Sequence, residues 1–281
     1  LYIATMKKLL LIYLLLFFNN KANAQLGCTD VKANNFNPTA TINDGSCTYN
    51  GANISPATTK NLGAQLPETS GLIFWNNTLW SHNDDADIKL YTVDTASAAV
   101  LQSYTLTNTI NKDWEEISQD SAYIYVGDFG NNSNGNRTDL HILRVEKNTW
   151  LLQSPIIDTI YFSYSNQTNF TATGANNTNF DCEAFLVTTD TIYLFTKQWL
   201  AEKTSIYALP KTPGNHIAQL HSTINIQGLA TGITYLESKK LAVLCGYSKT
   251  LQPFFYLLYD FKNNDFANGN KRKVTINLAF H

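Results

Sequence analysis

Residues 112–132 read KDWEEISQDSAYIYVGDFGNN. Asp113, Glu115 and Glu116 stand at one end of this stretch, and Asp128, Asn131 and Asn132 at the other. The apolar residues between them describe two short strands joined by a polar turn. In an antiparallel pair the start of one strand lies beside the end of the next, so both sets of oxygens meet at one edge. Carboxylates and amides gathered in this way suit a hard cation such as calcium, which accepts carboxylate, amide and carbonyl oxygens in flexible arrangements. The same rule sets Glu68 and Ser70 against His82, Asn83 and Asp84, Asp181 and Glu183 against Lys197, and Thr231 against Tyr247. Ser70 near His82 is weak ground for a nucleophile and its base, because no oxyanion turn accompanies the pair.

The elements that must position these groups recur along the chain. SGLIFWNNTLWSHND, WEEISQDSAYIYVGD, CEAFLVTTDTIYLFTK and TGITYLESKKLAVLCGY each read as strand, turn, strand, and two further strands follow each pair. These are KLYTVD and VLQSYTLT, LHILRV and DTIYFSYS, TSIYALP and LHSTINI, and PFFYLLYDF and KVTINLAF. With Gly71, Glu115, Glu183 and Gly232 taken as equivalent, the intervals are 44, 68 and 49 residues, the longest carrying an insertion around SNQTNFTATGANNTN. Four strands recurring at this spacing are what a β-propeller blade requires, since a small sheet buries its faces only against its neighbours. A β-sandwich also accounts for the strands but not for the repeat. The expectation is an all-β propeller over residues 51–281, with four blades here out of a ring of about six. In that arrangement the oxygen-rich ends converge on the mouth of the central channel.

Crowded carboxylates repel, and they need a cation, shared protons or basic neighbours to ionise together. Glu115, Asp128 and Glu183 are the metal candidates at the mouth, and calcium is the expected ion. Glu68, Ser70, His82, Asn83, Asp84, Asp113 and Lys197 complete the candidate ligand-binding set. His82 and Lys197 are the candidates for acid, base or anion partner. The plainer reading gives each acid a backbone hydrogen bond to a neighbouring blade, a common use of Asp in turns.

The 281 residues, 44% hydrophobic, supply a core for one large all-β domain or two ordinary ones. A formal net charge of −2 offers no basic field for nucleic acid. Fifteen Tyr and fifteen Phe favour pleated strands over helices. Met6, Lys7-Lys8, the apolar run Leu9–Phe18 and Ala22-Asn23-Ala24 read as a signal peptide over residues 6–24, with Leu1–Thr5 upstream of the true start. The run is too short to span a bilayer, which takes roughly 20 residues, and no later stretch does so, so the expected location is secreted or cell-surface. Gln25 argues against acylation at Cys28.

Export makes the cysteines oxidisable. Cys28 and Cys47 bracket a loop too polar for a core of its own. A disulfide between them, within a module over residues 25–50, would stabilise it by roughly 3 kcal/mol. Asp30 and Asp44, with Asn37 and Asn43, are further candidate calcium ligands, although no spacing there matches an EF-hand. Cys182 and Cys245 fall in strands, as buried thiols or as a second bridge.

Two resemblances follow. GCTDVKANNFNPTATINDGSC resembles, over residues 27–49, short modules of secreted Bacteroidetes-type proteins. ETSGLIFWNNTLWSHNDD, DWEEIS, VGDFGNNSNGNR, DCEAF, LFTKQW and LCGY together look like secreted bacterial propellers that usually carry a type IX secretion sorting domain. That likeness runs from about Glu68 onward and implies architecture and export more than activity. In such proteins a further blade is expected after His281. More distantly the arrangement is similar to phytase-like and gluconolactonase-like propellers, in which acids at the channel mouth hold a divalent metal that polarises substrate. No diagnostic motif of either is present, nor a G-x-S-x-G elbow, H-E-x-x-H, P-loop or dinucleotide fingerprint. The expected function is an extracellular binding protein acting through the acidic mouth on a glycan, peptide or small ester or phosphoester. Trp75, Trp80 and Trp199 are candidate stacking surfaces or blade core. A metal-dependent hydrolase is the alternative.

Overall fold

Asn76 and Asn77 both take positive φ, 48° and 62°, the geometry that a two-residue hairpin turn demands and that Asn tolerates. They join β4 (Thr69–Trp75) to β5 (Thr78–Asn83). β6 (Lys89–Val93) and β7 (Val100–Thr105) complete a four-stranded antiparallel meander. Three more meanders follow in order. The second is β8 (Trp114–Gln119), β9 (Tyr123–Asp128), β10 (His141–Glu146) and β11 (Ile157–Tyr164). The third is β12 (Asp181–Val187), β13 (Thr191–Lys197), β14 (Lys203–Pro210) and β15 (Gly214–Asn225). The fourth is β16 (Leu229–Leu236), β17 (Leu241–Tyr247), β18 (Pro253–Tyr259) and β19 (Asn270–Ile276). These strands fall where the sequence repeat puts them. The computed structural model describes residues 24–85, 87–151 and 155–278. Most of the expected signal peptide, residues 6–23, lies outside them.

Successive meanders pack face to face, which makes the arrangement β-propeller-like and leaves each pair a shared core. Ile73, Trp80 and Leu90 of the first meet Trp114, Ile117 and Val126 of the second. Phe129, Ile142 and Phe162 of the second meet Phe185, Leu194 and Tyr207 of the third. Phe195 and Ile206 of the third meet Leu244, Phe254 and Leu258 of the fourth. The middle meanders are covered on both faces, so β9 and β13 are almost continuously buried, whereas β17 alternates, since among the described residues only one of its faces is packed. At the outer edges β11 and β15 pair in parallel from Ile160↔Gly214 to Tyr164↔Ala218. That seam joins the second and third meanders into one eight-stranded, nearly closed sheet.

The Cys28–Cys47 disulfide is formed and clips a loop with two very short paired strands, β1 (Leu26–Gly27) and β2 (Ile42–Asn43). β3 (Ala52–Ile54) then adds in parallel to β19. Asn43 Nδ2 donates to Asp260 (2.8 Å) and Asn270 (2.9 Å), and the Tyr259 hydroxyl donates to Asp30 (3.1 Å), which seats the loop on the fourth meander. Cys182 and Cys245 are free thiols, so there is no second bridge; their Sγ atoms point at the Ala184 and Gly232 carbonyls. Among the described residues no helix is long and apolar enough to cross a membrane.

Candidate functional site

Each first strand carries an irregularity at the same place. The register shifts between Ser70 and Ile73 in β4, Trp114 and Glu116 in β8, Cys182 and Ala184 in β12, and Ala230 and Gly232 in β16. A bulge inserts one residue and re-aims it. The inserted residues are Glu115, Glu183 and Thr231, while in β4 the extra length falls on Gly71-Leu72. The structural equivalent of Glu115 in the fourth meander is therefore Thr231, one residue before the Gly232 that the repeat alignment selects. Thr231 also lies beside Cys245 and not opposite Tyr247, which pairs with Leu229.

The bulges bring carboxylates from three meanders together. Asp84, Asp113 and Glu115 each offer an oxygen within 4.8 Å of the others, and so do Glu115, Asp181 and Glu183. Calcium–oxygen contacts of about 2.4 Å fit inside that limit, and the buried group Glu115, Asp181 and Glu183 could hold a metal ion. Gly130 belongs to the same design. A Cβ on it would lie 2.2 Å from Glu115 Oε1 and 2.3 Å from Asp113 Oδ2, so only glycine leaves these oxygens room.

The donors available to the acids are few. Asp181 accepts from the Asn131 backbone N–H (2.7 Å) and Trp199 Nε1 (2.7 Å). Glu183 forms an ion pair with Lys197, whose ammonium also lies 4.5 Å from the Trp199 ring centre and 5.3 Å from that of Tyr247. Asp84 Oδ1 is buried with no partner. Burial pushes the Asp84 carboxyl up to about 7, with Asp113 adding to the shift, and pushes Asp181 up to about 6 against its hydrogen bonds. Asp113 is raised by burial although Arg137 opposes it. Glu115 is raised most plainly, by burial and then by the charges of Glu183, Asp181, Asp113 and Asp84. For Glu183 burial is again the larger cause and Lys197 works against it.

Other predicted residues lie elsewhere. Asp128 is fully buried but joins neither carboxylate group: Arg137 Nη2 reaches it at 2.6 Å and the Lys112 N–H at 3.0 Å. A guanidinium already neutralises it, and Asp113 and Asp181 stand where Asp128 was expected. The signal for both was in the sequence, because DWE at 113–115 and DCE at 181–183 repeat the same Asp-x-Glu step. Glu116, next to Glu115, turns the other way. Its oxygens accept from the N–H groups of Ile117 (2.9 Å) and Ile233 (3.1 Å), tying β8 to β16, and burial raises its carboxyl to about 8. Ser70 and His82 are register partners, but the Ser70 hydroxyl donates to the Glu115 carbonyl and His82 is wholly buried with Nε2 unpartnered. Burial lowers that imidazole to about 4. Asn83 Nδ2 donates to Gln65 O (3.1 Å) and Asp87 (3.0 Å), and Glu68 lies exposed beside Asp85.

In the Cys module the acids are used locally. Asp30 accepts from the Lys32 N–H (2.9 Å) and from Tyr49 (2.8 Å) and Tyr259, and Asp44 accepts from the Ser46 N–H (3.0 Å). Neither forms a group of three ligating side chains among the described residues. Trp80 is core, stacked 5.3 Å from Tyr104, while Trp75 and Trp199 are half-buried.

No family model matches the chain, and no curated protein matches it. Among solved structures it is similar to a proposed 6-phosphogluconolactonase from Bacteroides uniformis, at 14% identity and TM-score 0.35, covering 72% of this chain and 55% of that one. It is also similar to apo AztD from Citrobacter koseri, at 11% identity and TM-score 0.31, covering 75% and 48%. The N-terminal domain of Nup159 matches at 10% identity and TM-score 0.31, covering 74% and 48%. The chain thus spans about half the length of each. Likeness at this level assigns no function, and the architecture rests on the strand pairing above.

Proposed function

We propose that the protein is an exported β-propeller that binds an extracellular ligand through its acidic mouth, with calcium held by Glu115, Asp181 and Glu183. The observation that carries this reading is the recurring bulge, which turns the acids of successive first strands toward one another and leaves Glu115 without a hydrogen-bond donor among the described residues. A divalent cation supplies the missing positive charge and leaves coordination positions for ligand oxygens, since calcium takes six to eight. Glycan hydroxyls, peptide carboxylates and phosphoester oxygens all present such atoms.

The formed disulfide supports an oxidising compartment, in keeping with the leader over residues 6–24. A ring of about six blades is supported by apolar side chains left open on the end meanders, Leu72 (56% exposed) and Phe74 (57%) on the first and Phe255 (38%) on the fourth.

The test is metal analysis of the purified protein together with glycan and peptide array binding, with and without a chelator, repeated on Glu115→Ala and Glu183→Ala. Stoichiometric calcium and chelator-sensitive binding, both lost in the variants, are expected. Turnover of phosphate or carboxylic esters lost in parallel would replace this reading with a metal-dependent hydrolase.

A further inference from the structure

Resting on that reading, we propose that the mouth holds two divalent cations and that the Glu115 carboxylate bridges them. One would lie in the group Asp84, Asp113 and Glu115, and the other in the group Glu115, Asp181 and Glu183.

Three observations carry this. The first is topological: the two groups share only Glu115, which enters the mouth at the bulge of β8, in the meander between the one that supplies Asp84 and the one that supplies Asp181 and Glu183, with Asp113 beside it on its own meander. A carboxylate has two oxygens, enough for one to each ion. A carboxylate in that position can bridge metals about 3.5–4 Å apart, the spacing of two-metal sites generally.

The second is the state of Glu115 itself. The residue is 5% exposed, yet no hydrogen bond or ion pair reaches its carboxylate among the described residues. A carboxylate this buried and without donors is costly unless positive charge reaches it. The Asp84 Oδ1 atom, buried and without a partner among the described residues, marks the same need in the other group. Gly130 clears space at Glu115 Oε1 and Asp113 Oδ2 together, which lie on the Asp84 side of the bridge.

The third is charge balance. The two groups contain five carboxylates, and among the described residues the only basic side chain bonded to any of them is Lys197, on Glu183. Arg137 and Lys112 are engaged by Asp128 and Asp139. With all five ionised, four negative charges would be uncompensated, the charge of two divalent cations. One ion would leave the mouth doubly negative.

The two positions are unequal. The Asp84 side has no ammonium to compete with, so it takes the tighter ion. On the other side Lys197 already holds one Glu183 oxygen, and Asp181 has spent lone pairs on Asn131 and Trp199, so that ion is weaker and exchanges faster.

Calcium counting on the metal-stripped full chain tests this, by native mass spectrometry and calorimetric titration with calcium alone, with circular dichroism confirming the fold of each variant. Two ions per chain are expected in the unsubstituted protein. Asp84→Asn and Asp113→Asn should each remove the tighter ion and keep the other, Asp181→Asn should do the converse, and Glu115→Gln should remove both. A single ion lost on Asp181→Asn but indifferent to Asp84→Asn and Asp113→Asn overturns the bridged pair and leaves the one-ion reading standing. Two ions that both survive Glu115→Gln overturn the bridge alone. No bound calcium overturns both readings.

Discussion

The Cys module carries two acids, Asp30 and Asp44, and the mouth gathers five, and the two regions put them to opposite use. In the module each acid sits in a turn whose own backbone supplies a donor, and Asp30 takes the hydroxyls of Tyr49 and Tyr259 as well. Hydrogen bonds hold Asp30, through the Lys32 N–H, and Asp44, through Ser46, below the ordinary carboxylate range. At the mouth the acids occupy bulges and strand ends, where the ladder has consumed the nearby N–H groups, and burial raises them. An acid in a turn is satisfied by its neighbours in sequence, whereas an acid on a bulge depends on whatever the other sheets bring. The contrast separates carboxylates that shape the chain from carboxylates that could hold a cation.

The strongest way to break the comparison is to add calcium. A ligand present at about a thousandfold over its Kd stabilises by about 4 kcal/mol, or roughly 10 °C in Tm for a chain of this size. That rise should appear in thermal melts of the unsubstituted protein and of Asp30→Asn, and vanish in Glu115→Gln. Next comes Arg137→Ala, which strands Asp128 in the interior. A cost of about 3 kcal/mol in denaturant unfolding is expected, with the calcium response intact because Asp128 lies outside the carboxylate groups. Replacing Cys28 and Cys47 by Ser should cost about 2–3 kcal/mol, read as faster proteolysis of the module with the mouth unaffected.

The smallest effect is the most discriminating. A carboxyl raised on folding gives stability that is complete below its unfolded pKa and lost as pH rises through its folded one. For Asp84, Asp181 and Glu116 that window runs from the ordinary values of 3.8 and 4.5 up to about 7, 6 and 8, so metal-free Tm should fall from pH 5 to pH 8. His82 works in the opposite sense, losing stability below 6.5 as pH approaches about 4. At pH 8 without calcium, Asp84→Asn should stabilise the chain by under about 1 kcal/mol, since Asp84 is partly solvated. With calcium it should destabilise, and an unchanged sign would place Asp84 with the module acids.

Much of this was legible in the sequence. The strands of all four meanders stand out because buried β-runs such as TIYLFTK and alternating ones such as LAVLCGY are local patterns. The meeting of strand starts and strand ends follows from antiparallel pairing alone, and Ser70↔His82 and Asp181↔Lys197 are observed partners. The bulges were not legible, because an inserted residue leaves no composition signature; hence Gly232 stands in the alignment where Thr231 does the equivalent work. The fate of Asp128 depends on Arg137, across a loop of Asn, Ser and Gly. Glu115 and Glu116 are identical in type and adjacent, and only the bulge decides that one faces the mouth and the other fastens β8 to β16. The parallel contacts β11–β15 and β3–β19 join edges far apart in the chain and carry no local mark.

The β11–β15 seam has a mechanical consequence. It lies on the outer circumference, while Glu115 and the pair Asp181 and Glu183 approach each other at the inner end of the same two meanders. Repulsion among those acids tends to pry the inner strands apart, and the seam acts as the hinge pin that stops the wedge from opening. The two meanders should therefore exchange amide protons late and as a single cooperative unit.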